Sequence, residues 1–79
     1  METDVEKKLS QIFKIVFELP IETDISTFRR INEVHWDSLA NVTLVTAIES
    51  EFGINLDYSD AERLTSYKSA LILIFEKIG

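Results

Sequence analysis

Apolar residues recur along the first part of this chain at three- and four-residue steps, the spacing of one face of an α-helix. In the first such segment they are Val5, Leu9, Ile12, Phe13 and Val16. Thr3 and Glu6 have the spacing of a capping box, which predicts where this helix begins. We expect it to end near Glu18, because Pro20 disfavours helical geometry at the residue before it.

A second helix is predicted to begin at Ser38 and to run to Phe52. Asp37 is a good N-cap, since its carboxylate can accept hydrogen bonds from the free N–H groups of the first turn. Gly53 follows the last periodic residue, where a left-handed cap favours glycine.

Two more helices complete the pattern. Asp57 and Asp60 predict a short third helix that runs to about Arg63. Thr65 or Ser66 is expected to cap a fourth helix, whose apolar stripe we place at Leu71, Ile74, Phe75 and Ile78.

A long connection, Pro20–Trp36, separates the first two helices and contains no glycine. Its side chains Phe28, Ile31, Val34 and Trp36 are too apolar for a disordered segment. We therefore expect an ordered loop folded over the core, with a short helical turn. The predicted fold is an all-α, four-helix bundle of three longer helices and a short third one, forming a single domain over residues 1–79.

The second helix is apolar on more than one face. At 100° per residue, one sector holds the expected core stripe of Leu44, Val45, Ile48 and Phe52. A second strip comprises Ser38, Leu39, Val42, Thr46 and Glu49. Either the long loop covers this strip, or it is an exposed patch for a partner. Periodicity does not separate the two interpretations.

Composition excludes several classes of protein. A chain of 79 residues with no Cys and one His cannot form a disulfide framework or a zinc site. Its apolar runs are shorter than the ~20 residues of a membrane span, and its acidic start is unlike a signal peptide. We expect a soluble cytoplasmic protein.

The charge is unevenly distributed. Residues 31–62 hold seven acids and no Lys or Arg, whereas the whole chain has a formal net charge of −6. Such a surface repels phosphate backbones and anionic lipid, so we expect no nucleic-acid or membrane binding. It suits a basic protein partner or, alternatively, is a solvated face that keeps the domain soluble.

Ser38 has two interpretations: a helix cap, or a hydroxyl whose phosphate ester would lie at a helix amino terminus. A catalytic role is disfavoured, because His35, Asp37 and Ser38 lie too close in the chain for the usual triad geometry. The acids between Glu49 and Glu62 lack the spacing and central glycine of a calcium loop, so no metal site is expected.

The sequence resembles the acyl carrier protein family. Its motif Trp36-Asp37-Ser38-Leu39 matches the Asp-Ser-Leu that opens the family's second helix, and the aliphatic and acidic run 41–54 follows it without a gap. The resemblance extends through Asp60-Ala61-Glu62 to the last helix and covers nearly the whole chain.

This resemblance implies a carrier rather than an enzyme. A phosphopantetheinyl transferase would move 4′-phosphopantetheine from coenzyme A onto Ser38, and the thiol of that arm would hold an acyl, aminoacyl or polyketide group. An acyl or aminoacyl ligase and condensing or transferase enzymes are the other implied partners. A monomer is expected. The residues expected to meet these partners are Asp37, Leu39, Val42, Thr46 and Glu49.

The chain also departs from the family pattern. Ala40, Thr43 and Ser50 stand where acids are frequent, Thr46 where methionine is common, and Trp36 where a small residue is usual. With its ends at Met1 and Gly79, the chain is expected to be a free-standing carrier of a specialised pathway. The alternative is a helical interaction module in which Ser38 is only a helix cap.

Overall fold

The computed structural model describes residues 3–78 and contains four α-helices. They are α1 (Asp4–Val16), α2 (Ser38–Phe52), α3 (Tyr58–Glu62) and α4 (Tyr67–Ile78), with a 3₁₀ turn at Arg30–Asn32. The all-α bundle with a short third helix is therefore confirmed, as is the helical turn in the long loop. Within residues 3–78, no helix combines the length and the apolar character that crossing a membrane requires.

The helix starts follow the predicted capping residues. Thr3 and Glu6 form a capping box, and Asp57 forms another with Asp60. Asp37 caps α2, and Gly53 ends that helix in the left-handed conformation with φ 64°. These boundaries are set locally, which is why the sequence predicts them.

α1 ends two residues before the predicted end at Glu18, which has a left-handed backbone with φ 53°. Its N–H donates to the carbonyl of Ile15 at 3.3 Å, and the N–H of Leu19 donates to the carbonyl of Lys14 at 2.8 Å. This pair of bonds is a Schellman motif. The left-handed turn at Glu18 therefore ends the helix before Leu19, the residue whose helical geometry Pro20 disfavours.

The long loop is ordered and covers one end of the core. Ile25 and Trp36 are buried, and Phe28 packs against the core. The rings of Phe17, Phe28, Trp36 and Tyr67 surround Phe13 at centroid distances of 5.5–5.9 Å. Ile31 and Val34 instead point outward, so only part of the loop's apolar content belongs to the core.

The loop is also tied to the start of α4. The N–H of Arg30 donates to the carbonyl of Thr65 at 2.9 Å, and the N–H of Tyr67 donates to that of Phe28 at 3.0 Å. These two bonds flank a bridge between Arg29 and Ser66. They fix the position of the loop on the helical bundle.

The core stripe of α2 is confirmed. Leu44 and Ile48 are completely buried, and Val45 and Phe52 pack against the core. The second strip is not covered by the loop, because Leu39 is 75% exposed and Val42 62% exposed. The interpretation in which the loop covers this strip is therefore wrong for these two side chains, which are exposed.

The predicted stripe of α4 is wrong in part. The buried face comprises Tyr67, Ala70, Leu73 and Ile74, whereas Phe75 and Ile78 are more than 40% exposed. Residues 70–75 are all apolar, so periodicity does not identify the inward face. The side chain of Ser66 accepts the N–H of Ser69 at 3.0 Å and thus caps the helix, and the bond from Tyr67 to Phe28 helps to set its register.

Candidate functional site

Ser38 is the first residue of α2, and its side chain is exposed. Its hydroxyl has no hydrogen-bond partner in the described part of the chain. The cap is Asp37, whose Oδ1 accepts the N–H of Ala40 at 2.9 Å. A capping role for Ser38 is therefore wrong, and its hydroxyl is available for chemistry.

Trp36 anchors the segment just before Ser38. It is only 3% exposed, and its ring stacks on Phe28 at a centroid distance of 5.9 Å. Its indole Nε1 donates to Oδ1 of Asn41 at 2.9 Å, and Nδ2 of Asn41 donates to the carbonyl of Ala61 at 3.3 Å. The first turn of α2 is thus held between the loop and α3.

An open cleft of about 390 Å³ lies beside Ser38. The loop, α2 and α3 all contribute to its walls. Its lining residues are Arg30, Ser38, Asn41, Val42, Tyr58, Ala61 and Glu62. The cleft combines one cation, one acid and apolar surface next to a free hydroxyl.

Arg30 and Tyr58 are cleft residues that the sequence interpretation missed. Arg30 lies in a loop without periodicity, and Tyr58 follows the cap of the short α3. No spacing rule places α3 next to the start of α2, so only the tertiary fold brings Tyr58 to Ser38. Its side chain is 80% exposed, which makes it available to a ligand or a partner.

The structure does not assemble a catalytic triad. His35 lines a separate cleft with Val16, Phe17 and Glu18, and its backbone N–H donates to Oε1 of Glu33 at 3.0 Å. The carboxylate of Asp37 is engaged in capping α2. Within residues 3–78, no cluster of three or more His, Asp or Glu side chains is arranged to hold a metal ion.

The second strip of α2 divides into two kinds of residue. Leu39 and Val42 present their side chains to solvent. The hydroxyl of the exposed Thr46 donates to the carbonyl of Val42 at 3.0 Å, and Oε2 of the half-buried Glu49 accepts the N–H of Leu56 at 2.9 Å. The side chains of Thr46 and Glu49 therefore form hydrogen bonds with the protein's own backbone.

The acidic stretch receives bases from distant parts of the chain. Lys77 Nζ lies 2.8 Å from Oδ2 of Asp60, and Lys8 Nζ lies 4.0 Å from a carboxylate oxygen of Glu51. The hydrogen bonds from Lys77 and from the N–H of Asp57 lower the pKa of Asp60. The stretch 31–62 contains no Lys or Arg, but two of its acidic side chains pair with lysines from other parts of the chain.

Comparison with known proteins identifies the class. An acyl carrier protein of Buchnera aphidicola (subsp. Schizaphis graminum) is 31% identical over 74 residues, which cover 94% of each chain. An acyl carrier protein of Cyanidium caldarium is 33% identical over 76 residues, covering 96% of this chain and 88% of that one. No protein-family model matches the chain.

The four-helix fold and these relatives define a carrier protein rather than an enzyme. The chain belongs to the acyl carrier protein family. Membership implies a phosphopantetheine prosthetic group. The residues around Ser38 fit such a group, because the hydroxyl is exposed, makes no hydrogen bond with residues 3–78 and opens onto a cleft.

Proposed function

We propose that Ser38 carries 4′-phosphopantetheine and that the chain delivers acyl, aminoacyl or polyketide groups between enzymes. The observation that carries this proposal is the free hydroxyl of Ser38 on the first turn of α2, within an Asp-Ser-Leu sequence. The arm supplies a thiol, a group that the chain lacks because it contains no cysteine.

Loading is a phosphoryl transfer from coenzyme A. The oxygen of Ser38 forms a new bond to the phosphorus that bears the pantetheine, the pyrophosphate bond breaks, and adenosine 3′,5′-bisphosphate leaves. The hydroxyl proton passes to a base of the transferase. Ser38 is well placed for this step, because its position at a helix start favours a negatively charged ester.

The partner surface lies around the attachment residue. Leu39 and Val42 supply exposed apolar contact area, and the carboxylate of Asp37 adds negative charge beside them. Thr46 and Glu49 border this patch, although each also bonds to the backbone. Complementary basic patches on a transferase, a ligase and condensing or transferase enzymes would bind quickly and briefly.

The pattern of charge on α2 supports a specialised pathway rather than general fatty-acid synthesis. Ala40, Thr43 and Ser50 are uncharged at positions where acids are frequent in the acyl carrier protein family, and Arg30 adds a cation to the cleft. We propose a cytoplasmic, monomeric carrier whose partners recognise these features.

The test measures the intact mass of the chain after incubation with coenzyme A, Mg²⁺ and a broad-specificity phosphopantetheinyl transferase. The proposal requires addition of one phosphopantetheine, followed by charging of its thiol when an acyl ligase is supplied. A chain that stays unmodified with two different transferases would be an interaction module and not a carrier.

A further inference from the structure

Arg30 places its guanidinium group close to the start of α2. Its Nε donates to the backbone carbonyl of Trp36 at 3.0 Å. Trp36 is two residues before Ser38, and two Cα–Cα steps span at most about 7.6 Å. This bond holds the guanidinium in the cleft that Ser38 also lines.

The terminal nitrogens of Arg30 remain available. They form no hydrogen bond or ion pair with any residue between 3 and 78. Arg63 is different, because its two terminal nitrogens donate to the carboxylate of Glu76 at 3.0 and 2.8 Å. Glu62 lines the same cleft as Arg30 without pairing with it.

Arg30 is half-buried, and the free N–H groups on its two terminal nitrogens are suited to binding a phosphate group. Arginine presents its donors in a planar fork that matches two oxygens of one phosphate. A phosphodiester on Ser38 would have two such oxygens and one negative charge. It would stand next to Arg30, the cation that lines this cleft within the described part of the chain.

We propose that Arg30 binds the phosphate of the phosphopantetheine group through its terminal nitrogens and so directs the base of the arm along the cleft. This inference rests on the proposed attachment at Ser38. The wall formed by Val42 and Tyr58 would then lie beside the first atoms of the arm. Arg30 acts as a positioning residue in this account.

If Arg30 had a purely structural role, its substitution would have a different effect on the stability of the loaded form. The bond from its Nε to Trp36 exists without the arm, so its loss would destabilise the unloaded and loaded forms equally. Phosphate binding adds stability only to the loaded form. The comparison of the two forms therefore separates the roles.

The experiment compares unloaded and loaded forms of the parent, Arg30→Gln and Arg29→Gln. Arg29 is a matched control, since it is adjacent in sequence but lines a separate cleft with Ser26 and Lys68. The readouts are the ³¹P NMR shift of the loaded chain and the difference in Tm between the two forms. Mass spectrometry establishes loading in each case.

We expect loading to raise the Tm of the parent. Arg30→Gln should remove most of this rise and move the ³¹P signal, whereas Arg29→Gln should change neither. If Arg30→Gln does not fold, Arg30→Lys keeps the charge without the planar fork and should show a smaller change of the same kind. A parent that is not loaded overturns the attachment at Ser38. If the folded Arg30 variant is loaded but has the same ³¹P signal and the same Tm difference as the parent, only the role of Arg30 is overturned.

Discussion

The indole Nε1 of Trp36 donates to Oδ1 of Asn41 at 2.9 Å, across the junction where the long loop enters α2. The amide of Asn41 continues this connection to the carbonyl of Ala61 at the end of α3. Ser38 lies between the two partners in sequence. The bond therefore links the core, the first turns of α2 and one wall of the cleft.

The first prediction concerns this hydrogen bond, which Trp36→Phe removes while keeping an aromatic ring at position 36. Trp36→Phe leaves the carbonyl oxygen of Asn41 without its donor and should lower the free energy of unfolding by about 1–3 kcal/mol. Asn41→Ala should lower it as well. In a double-mutant cycle measured by urea denaturation, the two losses should be less than additive. Strict additivity would mean that the bond does not couple the loop to α2.

The second prediction concerns the exposed patch of α2. Leu39→Ala and Val42→Ala should each change the free energy of unfolding by no more than about 0.5 kcal/mol, because both side chains face solvent. Transfer of a loaded group to a partner enzyme should slow. Leu44→Ala is the matched core control, with an expected loss of about 2–5 kcal/mol. Losses of that size at Leu39 or Val42 would contradict the assignment of the patch.

The third prediction follows from the acidic surface. Affinity for the transferase should fall as ionic strength rises from low salt to about 0.15 M, since salt screens attraction between exposed charges. Glu62→Gln, beside the cleft, should reduce this salt dependence. Glu22→Gln, an exposed acid outside residues 31–62, is the control and should not. Binding that is independent of salt would argue against electrostatic docking.

The fourth prediction concerns pH. The hydrogen bond from Lys77 lowers the pKa of Asp60 from its ordinary value of 3.8. A carboxyl group with a lowered pKa stabilises the fold above its unfolded pKa and loses that contribution as pH falls through the folded value. Stability should therefore decrease below about pH 4. The raised pKa of Lys77 acts only at the alkaline end, above 10.5.

Lys77→Gln should make the acid loss of stability shallower, because the pKa of Asp60 then returns toward 3.8. Lys68→Gln, a substitution of an exposed lysine on the same helix, is the control. Urea denaturation at several pH values measures both. If the free energy of unfolding fell equally at acid pH in the parent and in Lys77→Gln, this ion pair would not contribute to the pH dependence.

The sequence predicts the parts of this fold that depend on neighbouring residues. The capping box of Thr3 and Glu6, the cap at Asp37 and the left-handed Gly53 all act within one helical turn. The start of α1 and both ends of α2 follow from them, whereas the all-α fold follows from the helical spacing of the apolar residues. The Asp-Ser-Leu motif likewise identifies Ser38 as the candidate without any tertiary information.

Tertiary contacts decide what the sequence does not predict. α4 is apolar on almost every side, so its buried face depends on packing against the rest of the bundle, to which the bond from the N–H of Tyr67 to the carbonyl of Phe28 contributes. Arg30 and Tyr58 reach the cleft only through the fold. The pairing of Lys77 with Asp60 joins positions that are far apart in sequence, which a count of local charge cannot reveal.

The most direct test of the central claim locates the modification by fragment mass after loading with coenzyme A and a phosphopantetheinyl transferase. The parent and Ser50→Ala, a substitution of another exposed serine on α2, should each gain one phosphopantetheine on the peptide that contains Ser38. Ser38→Ala should gain none while remaining folded. Modification of the Ser38→Ala chain, or of a different serine in the parent, would contradict the account.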